Sequence, residues 1–236
     1  MSAHKGILYL IPTPLGDVKP EIVLPASNFS IISNINVFIV EELRTARRFL
    51  RNYGYNKNFD EVTFHILNEH THSEETAGFL NEADKGISIG LLSEAGVPAI
   101  ADPGAVIVRL AHEKNIKVVP LIGPSSILLA LMASGLNGQE FTFHGYLPVK
   151  PNERKQWLRD LNKRLLKQSH THIFIEAPYR NKQIIDSILE TISEDTLLCI
   201  ATNVSLPEES ILTKSIREWK RIKPDPGKNP TVFLLM

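Results

Sequence analysis

Three short apolar runs in this chain each stop on a loop of proline, glycine and other small residues, and this repetition constrains the fold most. The central run, Ile87 to Leu92, has the length of a buried parallel strand. It breaks at once into Ser93-Glu94-Ala95-Gly96-Val97-Pro98, with Asp102-Pro103-Gly104 shortly after. The first run, Gly6 to Ile11, ends on Pro12-Thr13-Pro14-Leu15-Gly16-Asp17, and the third, Lys117 to Ile122, on Gly123-Pro124-Ser125-Ser126. One such loop is what any tight strand–helix turn needs. In open α/β sheets, however, ligands lie outside the carboxyl ends of strands. Repeated small-residue strand ends therefore point to a ligand lying against bare backbone. Asp102 and Pro103 are expected to start a helix over 105–113, with Asp as N-cap and Pro at the first helical position.

Apolar runs at 37–40 and 62–67 add two further strands. Helices are expected over 25–35, over 45–53 with Gly54 as stop, over 76–83, and over 127–133 with Gly135 as stop. This alternation predicts a parallel sheet with right-handed crossovers. The second half changes character. Strands are expected at 141–146, 171–175, 196–201, near 210–213 and at 231–235, and helices over 152–167 and 182–192. The last two strands fit an antiparallel pair. The fold class is thus α/β, as two α/β domains over 1–122 and 123–236, the first mainly parallel and the second with a mixed sheet.

Several classes are excluded. The loop after the first strand lacks the Gly-x-Gly-x-x-Gly turn of dinucleotide folds, and two prolines there offer no backbone N–H to a pyrophosphate. NAD, FAD and ATP cradles are disfavoured accordingly. No apolar run approaches the roughly 20 residues of a membrane span. Met1 to Lys5 leads straight into a strand, so no signal peptide is expected, and the location expected is cytoplasmic. The single cysteine, Cys199, sits in an apolar run and reads as a buried strand residue. His70 and His72 have no third ligand at a useful spacing, so no metal site is expected.

The net charge is zero, so any contact with a polyanion must come from a local patch. From 150 to 167 the chain carries Lys150, Arg154, Lys155, Arg159, Lys163, Arg164 and Lys167 against Glu153 and Asp160, seven minus two, an excess of five. A solvated helix face and an anionic-substrate surface both remain open readings of it. Glu41, Glu42 and Arg44 follow the 37–40 strand, where carboxylates also suit a helix start.

With these segments in view, the chain resembles the tetrapyrrole-methylase-like (class III) methyltransferases, and within them the ribosomal RNA small-subunit methyltransferase I group. The resemblance covers nearly the whole chain. It rests on the 8–16 stretch from Leu8 to Gly16, on Ser93 to Pro98 with Asp102-Pro103-Gly104, and on Val119 to Ser126. It continues in Gly145-Tyr146-Leu147-Pro148 followed by Lys150 and Arg154, and in Glu176-Ala177-Pro178-Tyr179-Arg180. The group usually carries Ala-Glu-Asp-Thr-Arg where this chain has Val40-Glu41-Glu42-Leu43-Arg44. It carries an Arg-Glu…Thr-Lys…Glu-Glu segment where this chain runs Thr202-Asn203-Val204-Ser205-Leu206-Pro207-Glu208-Glu209.

The resemblance implies S-adenosyl-L-methionine as methyl donor in a cleft between the two domains, a homodimer, and structured RNA of the small ribosomal subunit as substrate, methylated on a cytidine 2′-hydroxyl. It places the cofactor against Pro12, Thr13 and Pro14, against Ala95, Gly96 and Val97, against Ile100 and Ala101, and against Ser125 and Ser126. Leu147, Glu176, Ala177 and Ala201 would close it from the second domain. A neutral ribose hydroxyl needs a general base or strong desolvation. Glu42 is the candidate base, with Arg44 holding it or a substrate phosphate. Lys150, Arg154, Lys155 and Arg159, with Arg180, are the candidate RNA contacts. The alternatives are methylation of a tetrapyrrole or other small molecule, and a non-catalytic protein that retains the cofactor.

Overall fold

The structure, a computed structural model, describes residues 5–68 and 70–236. Expectations placed on residues 1–4 lie outside it. The chain divides between Ser125 and Ser126, against the expected boundary after Ile122. Gly123 stays with the first unit because it is packed on Pro12: a Cβ there would lie 2.3 Å from the proline ring.

In the first unit, β1 (Ile7–Ile11), β2 (Val37–Val40), β3 (Thr63–Ile66), β4 (Ile89–Leu92) and β5 (Lys117–Pro120) form an all-parallel sheet in the order β3-β2-β4-β1-β5. Helices α1 (Pro20–Val23), α2 (Ala26–Ile32), α3 (Leu43–Asn52), α4 (Ser73–Thr76), α5 (Asn81–Asp84) and α6 (Ala105–Glu113) connect the strands. Every residue of β2 and β4 is buried, which is why both read as unbroken apolar runs. Side chains alternate between two cores. Val37 and Ile39 join Leu8, Leu80 and Ile107 on one face, while Phe38 and Val40 join Ile11, Leu50 and Tyr55 on the other.

The strand order decides where a ligand can go. The chain leaves β1 for β2 past β4, and leaves β4 for β5 past β1. The loops after these adjacent strands therefore depart in opposite directions, the arrangement that opens a crevice at the carboxyl edge of a parallel sheet.

In the second unit, β6 (Phe141–Tyr146), β7 (Thr171–Glu176), β8 (Leu197–Thr202), β9 (Ser210–Ser215) and β10 (Thr231–Leu235) form a mixed sheet in the order β6-β7-β10-β8-β9. Helices α7 (Ser126–Ser134), α8 (Pro151–Leu165), α9 (Asn181–Thr191) and α10 (Ile216–Ile222) belong to it. The expected pairing of the last two strands is corrected here. β10 lies at the centre, antiparallel to β7 and β8, and β9 pairs with β8. The reason is burial: all five residues of β10 are buried, so it needs a strand on each side, whereas no residue of β9 is fully buried, as suits an edge strand. The intervening α10 was not expected, since four of its seven residues are charged. A capping box of Ser215 and Glu218 starts it, and Trp219 anchors it by donating to the Leu198 carbonyl at 2.8 Å. Among the described residues no helix is long and apolar enough to cross a membrane.

On β6 and β7, Nε2 of His144 and Nδ1 of His172 lie 2.9 Å apart, and His170 stacks at a tilt beside His172. One hydrogen fits between the first two nitrogens, so protonating both rings breaks the bond. Burial, then His144, His170 and Arg164, push the His172 pKa from 6.5 down to about 4. Between those values the unfolded chain binds more protons than the folded one. Stability is therefore full above pH 6.5 and is lost as pH falls toward 4, by on the order of 2 kcal/mol. Urea unfolding of the parent and of His172→Gln at pH 7 and 4.5 checks this: the pH-dependent loss should be smaller in the variant by about 2 kcal/mol, and an unchanged difference would remove His172 as a source of it.

Candidate functional site

The crevice at β1 and β4 is fastened by its own backbone. Thr13 N–H donates to the Gly96 carbonyl at 2.9 Å, and Gly96 N–H returns a bond to the Thr13 carbonyl at 3.1 Å. The buried Thr13 hydroxyl adds a bond to the Ser93 carbonyl at 3.2 Å. Gly96 has φ +79°, and a Cβ on it would lie 3.0 Å from Leu15 Cδ2 and 3.3 Å from the Pro124 carbonyl oxygen. A glycine is needed there by the loop itself. Pro12, Thr13 and Gly96 thus hold the strand ends together, while Pro14 and Ala95 stand beside the opening they leave.

Beyond this stitch the loop is strained. Ala99 has φ 66° and Ala101 φ 59°, a left-handed conformation that costs a non-glycine residue roughly 1–3 kcal/mol and that clusters at functional sites. Asp102 enforces it. Its Oδ1 accepts from Ala99 N–H at 2.7 Å and from Gly104 N–H at 2.8 Å. Asp102 is therefore a loop clasp and not the expected N-cap; Gly104 occupies the cap position of α6. The carboxylate has closed the turn one step earlier than a cap would. Ile100, at the apex between the two strained alanines, is 51% exposed, Ala101 is exposed and Val97 half-buried.

A cavity of about 410 Å³ lies between the loop after β1, α3 and the loop after β4, within the ~300–1,000 Å³ of small-molecule sites. Pro14, Leu15, Phe49 and Ala95 give it apolar wall, and Thr45, Arg48 and Glu94 give it polar groups. The exposed Glu94 carboxylate stands at the end of β4, where the Thr45 hydroxyl donates to it, 2.8 and 2.9 Å from its two oxygens. Glu94 was missed as a candidate. Its signal was the one acidic side chain amid small residues directly after the central strand.

Glu42 is corrected as the candidate base. It is the N-cap of α3, its two oxygens accepting from Arg44 N–H at 2.9 Å and Thr45 N–H at 2.7 Å. The Arg44 and Thr45 amides hold its carboxyl below the usual range, which makes it a poor proton acceptor. It does not line the cavity. Arg44 is exposed on the first turn of α3.

In the second unit, Leu147 is buried in the core with Leu158 and Leu161, and Ala201 is fully buried in β8. Ser126 opens α7 and is half-buried, as are Ser125 and Ala177. Two candidate RNA contacts are corrected. Arg154 is buried, its Nε donating to Ser187 Oγ at 3.1 Å and its Nη1 to the Val149 carbonyl at 3.0 Å. Arg180 is buried against Glu176 at 3.1 Å and also donates to the Pro148 carbonyl. Both hold the turn between β6 and α8 from inside the second unit. On the outside of α8, Lys150 pairs with Glu153, Lys155 with Glu190 and Lys163 with Asp160. Arg159 is exposed there. The departing segment at 202–209 is a tight turn in which Asn203 takes φ 52°, a value that asparagine tolerates.

A family model described as Tetrapyrrole (Corrin/Porphyrin) Methylases matches residues 8–220. The protein named Ribosomal RNA small subunit methyltransferase I of Buchnera aphidicola subsp. Schizaphis graminum is 35% identical over 206 residues, 87% of this chain and 68% of its own. Its namesake of Bacillus subtilis is 31% identical over 215 residues, 90% of this chain and 68% of its own. Among solved structures, the methyltransferase CobJ superposes with a TM-score of 0.63 at 16% identity, over 97% of this chain and 93% of that one. Uroporphyrin-III C-methyl transferase of Thermus thermophilus, solved with S-adenosyl homocysteine, gives 0.58 at 16% identity over 98% and 97%. At these identities the solved structures show the shared fold.

Removing the clasp tests its weight. Asp102→Ala leaves the Ala99 and Gly104 amides without their acceptor, which should cost about 1–3 kcal/mol in denaturant unfolding. Asp102→Asn keeps an acceptor oxygen and should recover most of it. A loss under about 0.5 kcal/mol in the alanine variant, the range of an ordinary surface change, would mean that something else holds the loop.

Proposed function

Because the chain belongs to the tetrapyrrole methylase family, we propose that this methyltransferase uses S-adenosyl-L-methionine to methylate small-subunit ribosomal RNA, on the 2′-hydroxyl of a cytidine. The observation that carries the reading is the cavity beside the stitched ends of β1 and β4, with Glu94 and Asp17 among its lining residues. The residues present suit such a donor: apolar wall from Pro14, Leu15, Phe49 and Ala95 for a flat base, and Glu94 and Thr45 for its polar groups. The donor supplies a methyl group already activated on a sulfonium.

What remains for the chain is to position the acceptor, exclude water and take a proton. Glu94 is suited to the last task, since Thr45 orients its carboxylate while leaving lone pairs on both oxygens. Glu42 lacks that freedom. The strained 99–101 loop is suited to pressing backbone against a ligand. The RNA substrate is supported by the curated relatives, which are named for it. A homodimer belongs to the same reading. Its support is the outer face of α7, where Leu128 is 51% and Met132 79% exposed one turn apart.

The test is transfer of labelled methyl from the donor to small-subunit ribosomal RNA, with the modified atom mapped. The parent should label one ribose. Glu94→Gln should lower kcat about 10²–10⁴-fold, the usual worth of a positioned base, a larger factor than its loss of calorimetric affinity for S-adenosyl homocysteine. Glu42→Gln should stay near the parent rate. Parent-like turnover by Glu94→Gln would remove the carboxylate from the reaction, and a parent that labels no RNA would favour a small-molecule acceptor.

A further inference from the structure

The sequence directs attention to the basic segment at 150–167, but the structure spends much of that charge internally. With Arg154 in the core and Glu190 brought alongside, the excess outside the core is six minus three, or plus three. A second basic segment is not spent in this way. From 43 to 58 the chain carries Arg44, Arg47, Arg48, Arg51 and Lys57 and no acidic residue, and with Glu42 and Glu94 against its first turn the balance is five minus two, or plus three. Most of it is α3, the helix that also walls the cavity through Thr45, Arg48 and Phe49.

At 100° per residue Arg44, Arg48 and Arg51 fall within an arc of about 60° on the helix surface, and all three are exposed. Among the described residues none of them forms an ion pair with a carboxylate. Arg44 and Arg48 are one turn apart, about 6 Å along the axis. Arg51 is held in place: its guanidinium lies 4.0 Å from the Phe59 ring centroid and donates to the Tyr55 carbonyl. Arg47 lies over Phe59 and Phe64 at 5.3 and 5.2 Å. Stacking fixes Arg47 and Arg51 without neutralising them, so the face is positive and Arg51 is pre-ordered on it.

We propose that the outer face of α3, through Arg44, Arg48 and Arg51, is the surface on which the phosphodiester backbone of the RNA substrate lies as the acceptor nucleotide enters the adjoining cavity. This rests on the RNA reading above. Guanidinium groups suit phosphates because their paired donors match two phosphate oxygens. Since Arg48 both belongs to this face and borders the cavity, the backbone is gripped next to the nucleotide that reacts. No base is read by such a face, so it supplies affinity and register, and sequence choice comes from the cavity.

The experiment is binding of small-subunit ribosomal RNA to the full chain across a salt series. Arg44→Ala with Arg48→Ala should weaken binding and lower the slope of log K against log salt by about 1.4 to 1.8, since each phosphate contact contributes about 0.7 to 0.9. Arg44→Lys with Arg48→Lys, which keeps the charge, should restore the slope and shows that the loss is not unfolding. Lys150→Ala with Lys155→Ala on α8 should leave the slope at the parent value. If the parent binds RNA and the α3 alanine pair keeps the parent slope, this surface is wrong and the RNA reading stands. If the α8 pair loses slope and the α3 pair does not, the RNA lies on α8. If the parent shows no salt-dependent binding to RNA, both fail together.

Discussion

Two hydrogen bonds between Thr13 and Gly96 hold the site in being. The strand order sends the loops after β1 and β4 away in opposite directions, which opens a gap but leaves its edges unsupported. The paired bonds at 2.9 and 3.1 Å join those edges one residue past the strands. They demand a residue without a side chain at 96, because Leu15 and the Pro124 carbonyl occupy the space. They also bury Thr13, whose hydroxyl ties in Ser93 as well. Everything offered to a ligand on this edge, from Pro14 to Glu94 and the strained alanines, is displayed from that small fixed frame.

Glu42, Glu94 and Asp102 stand near these strand ends, and hydrogen-bond geometry separates them. Glu42 gives both oxygens to the first amides of α3, and Asp102 gives one oxygen to two loop amides. Both carboxylates are committed to structure, and the amides hold the Glu42 carboxyl below its usual range. Glu94 meets only a hydroxyl. It alone of the three faces the cavity with capacity left for a substrate proton. The same logic divides the arginines. Arg154 and Arg180 satisfy carbonyls inside the second unit, while Arg44 and Arg48 on α3 face solvent.

The fold was largely legible because its signals are local. The fully buried strands β2 and β4 show as unbroken apolar runs, and the alternation with helices leaves few parallel arrangements. The place of β10 was not legible, since pairing depends on which strands lie on either side and not on chain order. The loops with small residues show in the sequence, and their internal duties do not. Gly96 reads the same in sequence whether a ligand or Leu15 fills the space beside it. Asp102 before Pro103 looks like a cap until the positive φ of Ala99 and Ala101 is known. Charge counting at 150–167 overstates that face because a sequence does not reveal that Arg154 turns inward or that Glu190 of α9 lies against Lys155.

In the proposed function the methyl donor meets the chain at the frame of β1 and β4. A crystal structure of the protein with S-adenosyl homocysteine tests it most directly. The expected result is the ligand against Pro14 and Ala95, with a polar group of the ligand within about 3.2 Å of Glu94 and the Thr13–Gly96 pair of bonds intact. A ligand bound elsewhere, with Glu94 still held only by Thr45 and the cavity filled by solvent, would contradict it.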